Sequence, residues 1–155
     1  MRNPTTAAAA LADLFAPVLA ATEDLDSFEG ALSSGIRALA ASAMAASMER
    51  FDRSLRRQVP PGWRPHEVAP RTLVTLVGEV TYRRTVYVDA HGCRRAWADE
   101  LLGIRPRARL SACAFLWLAR RSAEVSYRKA AAQFEAMSGA RVSHVTAMRC
   151  AREEG

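Results

Sequence analysis

The sequence predicts an α+β fold, mainly helical, in which a long N-terminal helix, a small antiparallel β-meander and a C-terminal helix-turn-helix bundle follow one another. Three observations carry this. Apolar residues recur at three- and four-residue steps from Phe28 to Leu55. The step drops to two along the stretch that ends at Val88, and serine caps with a glycine turn then punctuate three short helical stretches. Residues 1–60 read as a helical lead-in suited to oligomerisation, residues 61–103 as a linker and antiparallel meander, and residues 104–155 as a helix-turn-helix DNA-binding unit.

Thr5 or Thr6 can cap an alanine-rich first helix that Pro17 ends or kinks. With Arg2 ahead of it, the run Ala7 to Ala21 superficially resembles a secretion signal, but Asp13 and Pro17 interrupt it, and a buried helix is the expectation. No stretch approaches the ~18 uninterrupted apolar residues of a membrane span. A second helix should start near Ser27, after the acidic turn Glu23 to Asp26. Its stripe is Phe28, Leu32, Ile36, Leu39, Ala43, Met44, Met48, Phe51 and Leu55, with a soft point at Ser33-Ser34-Gly35. Such a stripe packs against a partner helix, a second copy of itself, or the core of its own monomer. Arg50, Arg53, Arg56 and Arg57 suit the negative end of the helix dipole, and equally suit DNA.

Pro60-Pro61-Gly62 stops that helix, and a proline-rich linker runs through Trp63, Pro65 and Pro70. Thr72 to Val77 is rich in β-branched residues, and Val80, Tyr82, Arg84, Val86 and Val88 alternate with Thr81, Arg83, Thr85 and Tyr87, which predicts strands. Asp89 to Gly92 is a turn, from which Cys93 to Trp97 returns as a further strand. A sheet this small must lean on helices.

Asp99-Glu100-Leu101-Leu102-Gly103 and a basic connector with Arg105, Arg107 and Arg109 open the last zone. Ser111 caps a helix to about Val125, with Phe115, Leu118, Ala119 and nearby Trp117 as its apolar positions. Ser126 caps a helix from Tyr127 to Met137, Ser138 to Arg141 is a tight turn, and Ser143 caps a third helix. This is the outline of a helix-turn-helix. Where its helices cross, small residues are needed, and Ala131 and Ala147 supply them; Phe134, Val142 and the Cys150-Ala151 step close the core. That phase turns His144, Val145, Thr146, Met148 and Arg149 outward. His144, Thr146 and Arg149 are then the candidate base contacts, although a histidine alone is ordinarily just solvent-exposed or capping. Arg120, Arg121, Arg128, Lys129 and Arg141 are the candidate phosphate contacts. A competing phase would bury Val145 and Met148 and expose Ala147, and a plain three-helix bundle shows the same pattern.

Charge agrees with a polyanionic partner. The chain has 22 Lys+Arg against 16 Asp+Glu, a net +6, and Lys129 is its one lysine. Up to Glu49 there are 2 arginines and 6 acids; the remaining 20 basic and 10 acidic residues make the last two thirds the basic part. The plain alternative is a solvated arginine-rich surface. Cys93, Cys113 and Cys150 are far apart, with no CxxC, so neither a disulfide framework nor a zinc ribbon is expected and a reducing cytoplasm is. No metal or other cofactor is expected.

Five pieces in order carry a resemblance. They are Thr75-Leu-Val-Gly-Glu-Val-Thr-Tyr-Arg-Arg84, Asp99-Glu-Leu-Leu-Gly-Ile104, Arg109-Leu-Ser111, Val125-Ser-Tyr-Arg-Lys-Ala-Ala131 and Val142-Ser-His-Val-Thr146. Together they resemble the N-terminal half of the ISLre-type insertion-sequence transposases, a family formerly filed as uncharacterised. The ISKra-type transposases are similar here but usually carry zinc-ligand cysteines upstream, which this sequence does not. The resemblance implies a cytoplasmic protein that recognises double-stranded DNA at the ends of its own mobile element. It also implies a ribonuclease H-like catalytic domain beyond the helix-turn-helix, so this chain is expected to stop short of the catalytic carboxylates and not to be an enzyme. Asp99 and Glu100 are adjacent, whereas a two-metal site needs carboxylates converging from separate elements, so they are not expected to be catalytic. The expected partners are DNA, a homo-oligomer or an intact transposase, and no membrane. The alternative function is a helical interaction module that joins an intact transposase, its basic surface incidental.

Overall fold

The computed structural model describes residues 4–154; Arg2, part of the signal-like pattern, lies outside them. Elements follow in the order α1 (Pro4–Ala21), α2 (Leu25–Ser54), β1 (Arg64–Thr75), β2 (Gly78–Val88), β3 (Arg94–Arg95), α3 (Trp97–Leu101), α4 (Ala112–Glu124), α5 (Tyr127–Ser138) and α6 (His144–Glu154). The fold is mixed α+β and mainly helical, as the periodicities predict. Two compact units divide within α2, at Leu39 and Ala40.

In the first unit α1 runs through Pro17. The proline removes one donor, and the helix continues to Ala21. The expected buried helix is corrected: of the apolar residues in α1 only Phe15 is buried, while Leu11, Leu14 and Leu19 are exposed. Its alanines have little side chain to bury, so the helix gains little from packing. Asp24 opens α2, its Oδ1 accepting from the Ser27 amide at 2.7 Å. Gly35 is a packing residue rather than a soft point. The ring of Phe15 lies 2.6 Å from where a Cβ on Gly35 would stand, so any larger residue there must displace that ring.

In the second unit the last turns of α2 cover the sheet. Met48 packs with Leu73, Val80 and Tyr82, flanked by Ala41, Met44 and Ala45. The helix ends at Ser54, and one 3-10 turn, Leu55–Arg57, follows in which Leu55 is buried. Two carboxylates one helical turn apart grip β2: Glu49 Oε1 accepts from the Arg83 amide (2.9 Å), and Asp52 accepts from the Thr85 amide (3.0 Å) and hydroxyl (2.8 Å). These amides would otherwise be open donors, because β3 pairs only with Tyr87 and Val88.

The sheet is antiparallel in the order β1-β2-β3. Its hairpin pairs Thr75 with Gly78, and an irregularity falls between Pro65 and Glu67. Two expectations are corrected. The proline-rich stretch from Arg64 to Arg71 is strand rather than linker, which an edge strand permits because a proline there need not supply a ladder donor. The returning strand is only Arg94–Arg95, and Trp97 starts a helix instead of ending a strand.

That helix carries Asp99 beneath the sheet. Its Oδ1 accepts from the Tyr82 hydroxyl at 2.5 Å, and its Oδ2 from Arg71 Nη1 at 2.7 Å and Arg84 Nε at 2.5 Å. The two guanidiniums meet this side chain in a site almost closed to water, each supplying a hydrogen bond that water cannot. Burial, and then the bond to Asp99, push the Tyr82 hydroxyl well above the ordinary tyrosine range. At the far end of the sheet Trp63 packs between Tyr87 and Trp97, with the Arg95 guanidinium 5.0 Å over its ring.

Candidate nucleic-acid interface

The last three helices form around residues too small to keep backbones apart. Ala114, Leu118, Ala119, Phe134, Ala140, Ala147 and Cys150 are buried together, with Val74, Leu110, Trp117 and Val142 against them. Trp117 meets Phe134 edge-on at 5.5 Å. Ala147 is wholly buried and its carbonyl accepts from the Ser122 hydroxyl at 3.5 Å, so α6 crosses α4 there. A larger residue at this crossing would force the helices apart at a cost of about 1–3 kcal/mol.

Each boundary has a local cause that is written in the sequence. The Ser111 hydroxyl accepts from the Ala114 amide and Ser126 from the Lys129 amide, so each serine caps its helix. Gly139 ends α5 in the left-handed conformation, φ 74°, its amide donating to Glu135 O at 2.8 Å. Buried Ser138 locks the turn, donating to Phe134 O (2.8 Å) and accepting from the Ala140 amide (3.0 Å). Ser143 then accepts from the Thr146 amide at 3.1 Å and caps α6.

Burial selects the helix phase. Ala147 and Cys150 face inward, while His144, Val145 and Arg149 are exposed, so the competing phase with Val145 and Met148 in the core is excluded. Of the candidate base contacts, His144 and Arg149 are open to solvent. Thr146 is half-buried and its hydroxyl lies 3.0 Å from that of Ser143, so the cap shares it. Sequence reasoning missed Arg152, which is exposed and three residues beyond Arg149 on the same face of α6; that spacing was the available signal.

The candidate phosphate contacts divide by partner. Arg120, Arg128 and Lys129 are exposed, and no carboxylate among the described residues pairs with them. Arg121 is held by Gln133 at 2.6 Å and by a short ion pair to Glu124. Arg141 bonds Glu135 at 3.1 Å while its side chain stays 85% exposed. Arg128 and Lys129 project from the first turn of α5 and Arg149 from the second turn of α6, so the serine caps fix where all three chains begin. Cys150 lies in the core, and burial pushes its thiol above the ordinary value.

Among the described residues no group of three His, Cys, Asp or Glu is placed to hold a metal ion. Asp99 is taken up by Tyr82 and two arginines, and Glu100 by both nitrogens of Arg95 that it meets, at 2.6 and 2.8 Å. No helix among the described residues is long and apolar enough to cross a membrane. A family model described as an uncharacterised protein family, UPF0236, matches residues 22–155. No curated protein matches the chain.

Proposed function

The chain belongs to this uncharacterised family, and from that premise we propose that it is a DNA-binding part of a bacterial insertion-sequence transposase that recognises the ends of its element. The observation that carries the reading is the phase of α6: with Ala147 and Cys150 inside, the helix presents His144, Arg149 and Arg152 on an open face, as a recognition helix must. The unpaired cations Arg120, Arg128 and Lys129 support it as phosphate contacts. Arginine fits that task, since its fork stays charged and grips phosphate with two donors. These residues bind rather than cut on this reading, because Asp99 and Glu100 are occupied as arginine partners.

The test is binding of the purified chain to the element's terminal repeats and to random duplex over a salt series, with Mg²⁺ present to reveal any cleavage. Arg149→Ala should cost on the order of 1–3 kcal/mol on the repeats and much less on random DNA. Lys129→Ala should weaken both alike and flatten the log-log salt slope by about 0.9. Equal losses on both duplexes for Arg149→Ala, or cutting of the DNA, refute the division of labour.

A second reading has its own observation. Leu11, Leu14, Leu19, Leu25, Ile36 and Leu39 are all exposed in the first unit. Large aliphatic residues in that number on α1 and α2 favour an association surface there, for a second copy or an intact transposase. It is compatible with DNA binding by the second unit, and sedimentation of the chain over a concentration series tests it.

A further inference from the structure

We infer that the loop Arg105–Arg109 is a second DNA contact, whose guanidiniums enter the minor groove beside the major groove that α6 occupies. The inference rests on the DNA-binding reading above and extends it to a part of the chain outside the helix-turn-helix.

The loop is a closed turn. The Ala108 amide donates to Arg105 O at 3.1 Å, so Arg105-Pro106-Arg107-Ala108 is a β-turn with proline in its second position. In the type II form of such a turn the third position takes a positive φ and is ordinarily glycine. Here it is Arg107, at φ 60°, the one non-glycine residue with a positive φ among the described residues. The chain places glycine at Gly62, Gly78, Gly92, Gly103 and Gly139, where φ is also positive, so the exception is confined to this turn. A side chain held in that conformation is strained, and such strain persists where the surroundings impose it and function uses it.

The surroundings do impose it. Arg71 Nη2 donates to the carbonyls of Arg105 (2.8 Å) and Ala108 (3.1 Å), while Nη1 of the same guanidinium is fixed on Asp99. On the other side the Val74 amide donates to Arg109 O (2.8 Å), and the Ser111 amide returns a bond to Val74 O (2.9 Å). The loop is therefore tied to β1 at both ends while Arg105, Arg107 and Arg109 stay exposed. No carboxylate among the described residues pairs with them, in contrast to Arg95, Arg121 and Arg141. Three like charges within five residues repel one another, and the phosphates of a polyanion would offset that repulsion.

Position in the chain names the groove. Arg109 is two residues before Ser111, the cap of the first helix of the three-helix unit. In three-helix DNA readers of the homeodomain kind, arginines just ahead of the first helix reach the minor groove flanking the major-groove site. A narrow minor groove concentrates negative potential and draws in arginine.

The experiment measures binding of the whole chain to a short A·T-rich duplex over a salt series, for wild type, Arg107→Gly, Arg107→Asn and Lys129→Ala. Glycine and asparagine both tolerate the left-handed conformation, so each removes the charge without adding strain. Both variants should melt at or above the wild-type Tm, bind more weakly, and flatten the salt slope by about 0.9, the effect of leaving one phosphate without its cation. Netropsin, which fills A·T minor grooves, should compete with wild type and have much less effect on Arg107→Gly. If both Arg107 variants bind like wild type while Lys129→Ala is weakened, the loop inference falls and the helix-turn-helix reading stands. If netropsin affects wild type and Arg107→Gly equally, or if binding is lost only together with Tm, the minor-groove contact is refuted. If the folded wild type binds no duplex at any salt, the DNA reading and this inference fall together.

Discussion

Asp99→Asn should be among the most damaging isosteric changes in the protein, and the structure says by how much. Asparagine keeps the shape, and its carbonyl can still accept from the Tyr82 hydroxyl. Its amide nitrogen, however, would face Arg71 and Arg84, setting donors against donors. The three side chains are 4%, 11% and 16% exposed, so both guanidiniums would lose their counter-charge where water cannot replace it. Breaking a buried pair in this one-sided way costs about 3–5 kcal/mol, against a domain stability of about 5–15 kcal/mol. At about 2–4 °C per kcal/mol for a chain of this size, Tm should fall by roughly 10 °C. Glu100→Gln is the internal control. Glu100 and Arg95 are 29% and 45% exposed, so losing the charge and one of their two hydrogen bonds should cost no more than about 1 kcal/mol. Urea unfolding followed by circular dichroism measures both. Hydrogen exchange at the Ala108 amide adds a local readout, since freeing Arg71 releases the carbonyls of Arg105 and Ala108. An Asp99→Asn variant within about 1 kcal/mol of wild type, or no worse than Glu100→Gln, would refute the reasoning.

Two further outcomes are expected. Leu55 is 6% exposed and Leu39 40% exposed, so Leu55→Asp should cost on the order of 4 kcal/mol or more by burying a charge, whereas Leu39→Asp should leave the monomer folded within about 0.5 kcal/mol and dissociate any oligomer; the reverse order in denaturant midpoints sinks the assignment of core. Folded Tyr82 keeps its proton above the ordinary tyrosine pKa of about 10, so its contribution is full below that pH and is lost as pH rises, because the unfolded chain ionises first. Wild-type stability should thus fall more steeply above about pH 10 than that of Tyr82→Phe; parallel slopes would show that the hydroxyl is not the cause.

What could be read from sequence was what depends on neighbours along the chain. Ser111, Ser126 and Ser143 cap helices, and Gly139 ends one, through bonds spanning three or four residues, so the three C-terminal helices and their boundaries were legible, while only burial decides between the two phases the sequence offers for α6. The strand from Arg64 to Arg71 was hidden because Pro65 and Pro70 read as linker, and only its place at the edge of the sheet makes them tolerable. The buried carboxylates were hidden too. Asp52 finds Thr85 across 33 residues, and Asp99 finds Arg71 across 28, so no local pattern marks either as interior. The apolar stripe of α2 looked single because its period is unbroken, yet Met48 and Leu55 are core while Ile36 and Leu39 face solvent. Periodicity reports which residues share a face, and only the fold decides whether that face is covered. The connector arginines were visible as charge. That Arg107 occupies a glycine conformation was not.

The two prolines of β1 have a consequence for how the protein behaves when many copies are made at once. The outer edge of β1 is closed at Val74 by Arg109 and Ser111, but the stretch before it offers a row of main-chain groups to any other extended chain, the usual seed for runaway stacking. Pro65 and Pro70 each remove a donor from that row. Arg64, His66, Glu67 and Arg71 lie around them along the strand. A stranger can therefore zip along only a few residues before it meets a missing donor or a charge, and the sheet ends its own growth at three strands.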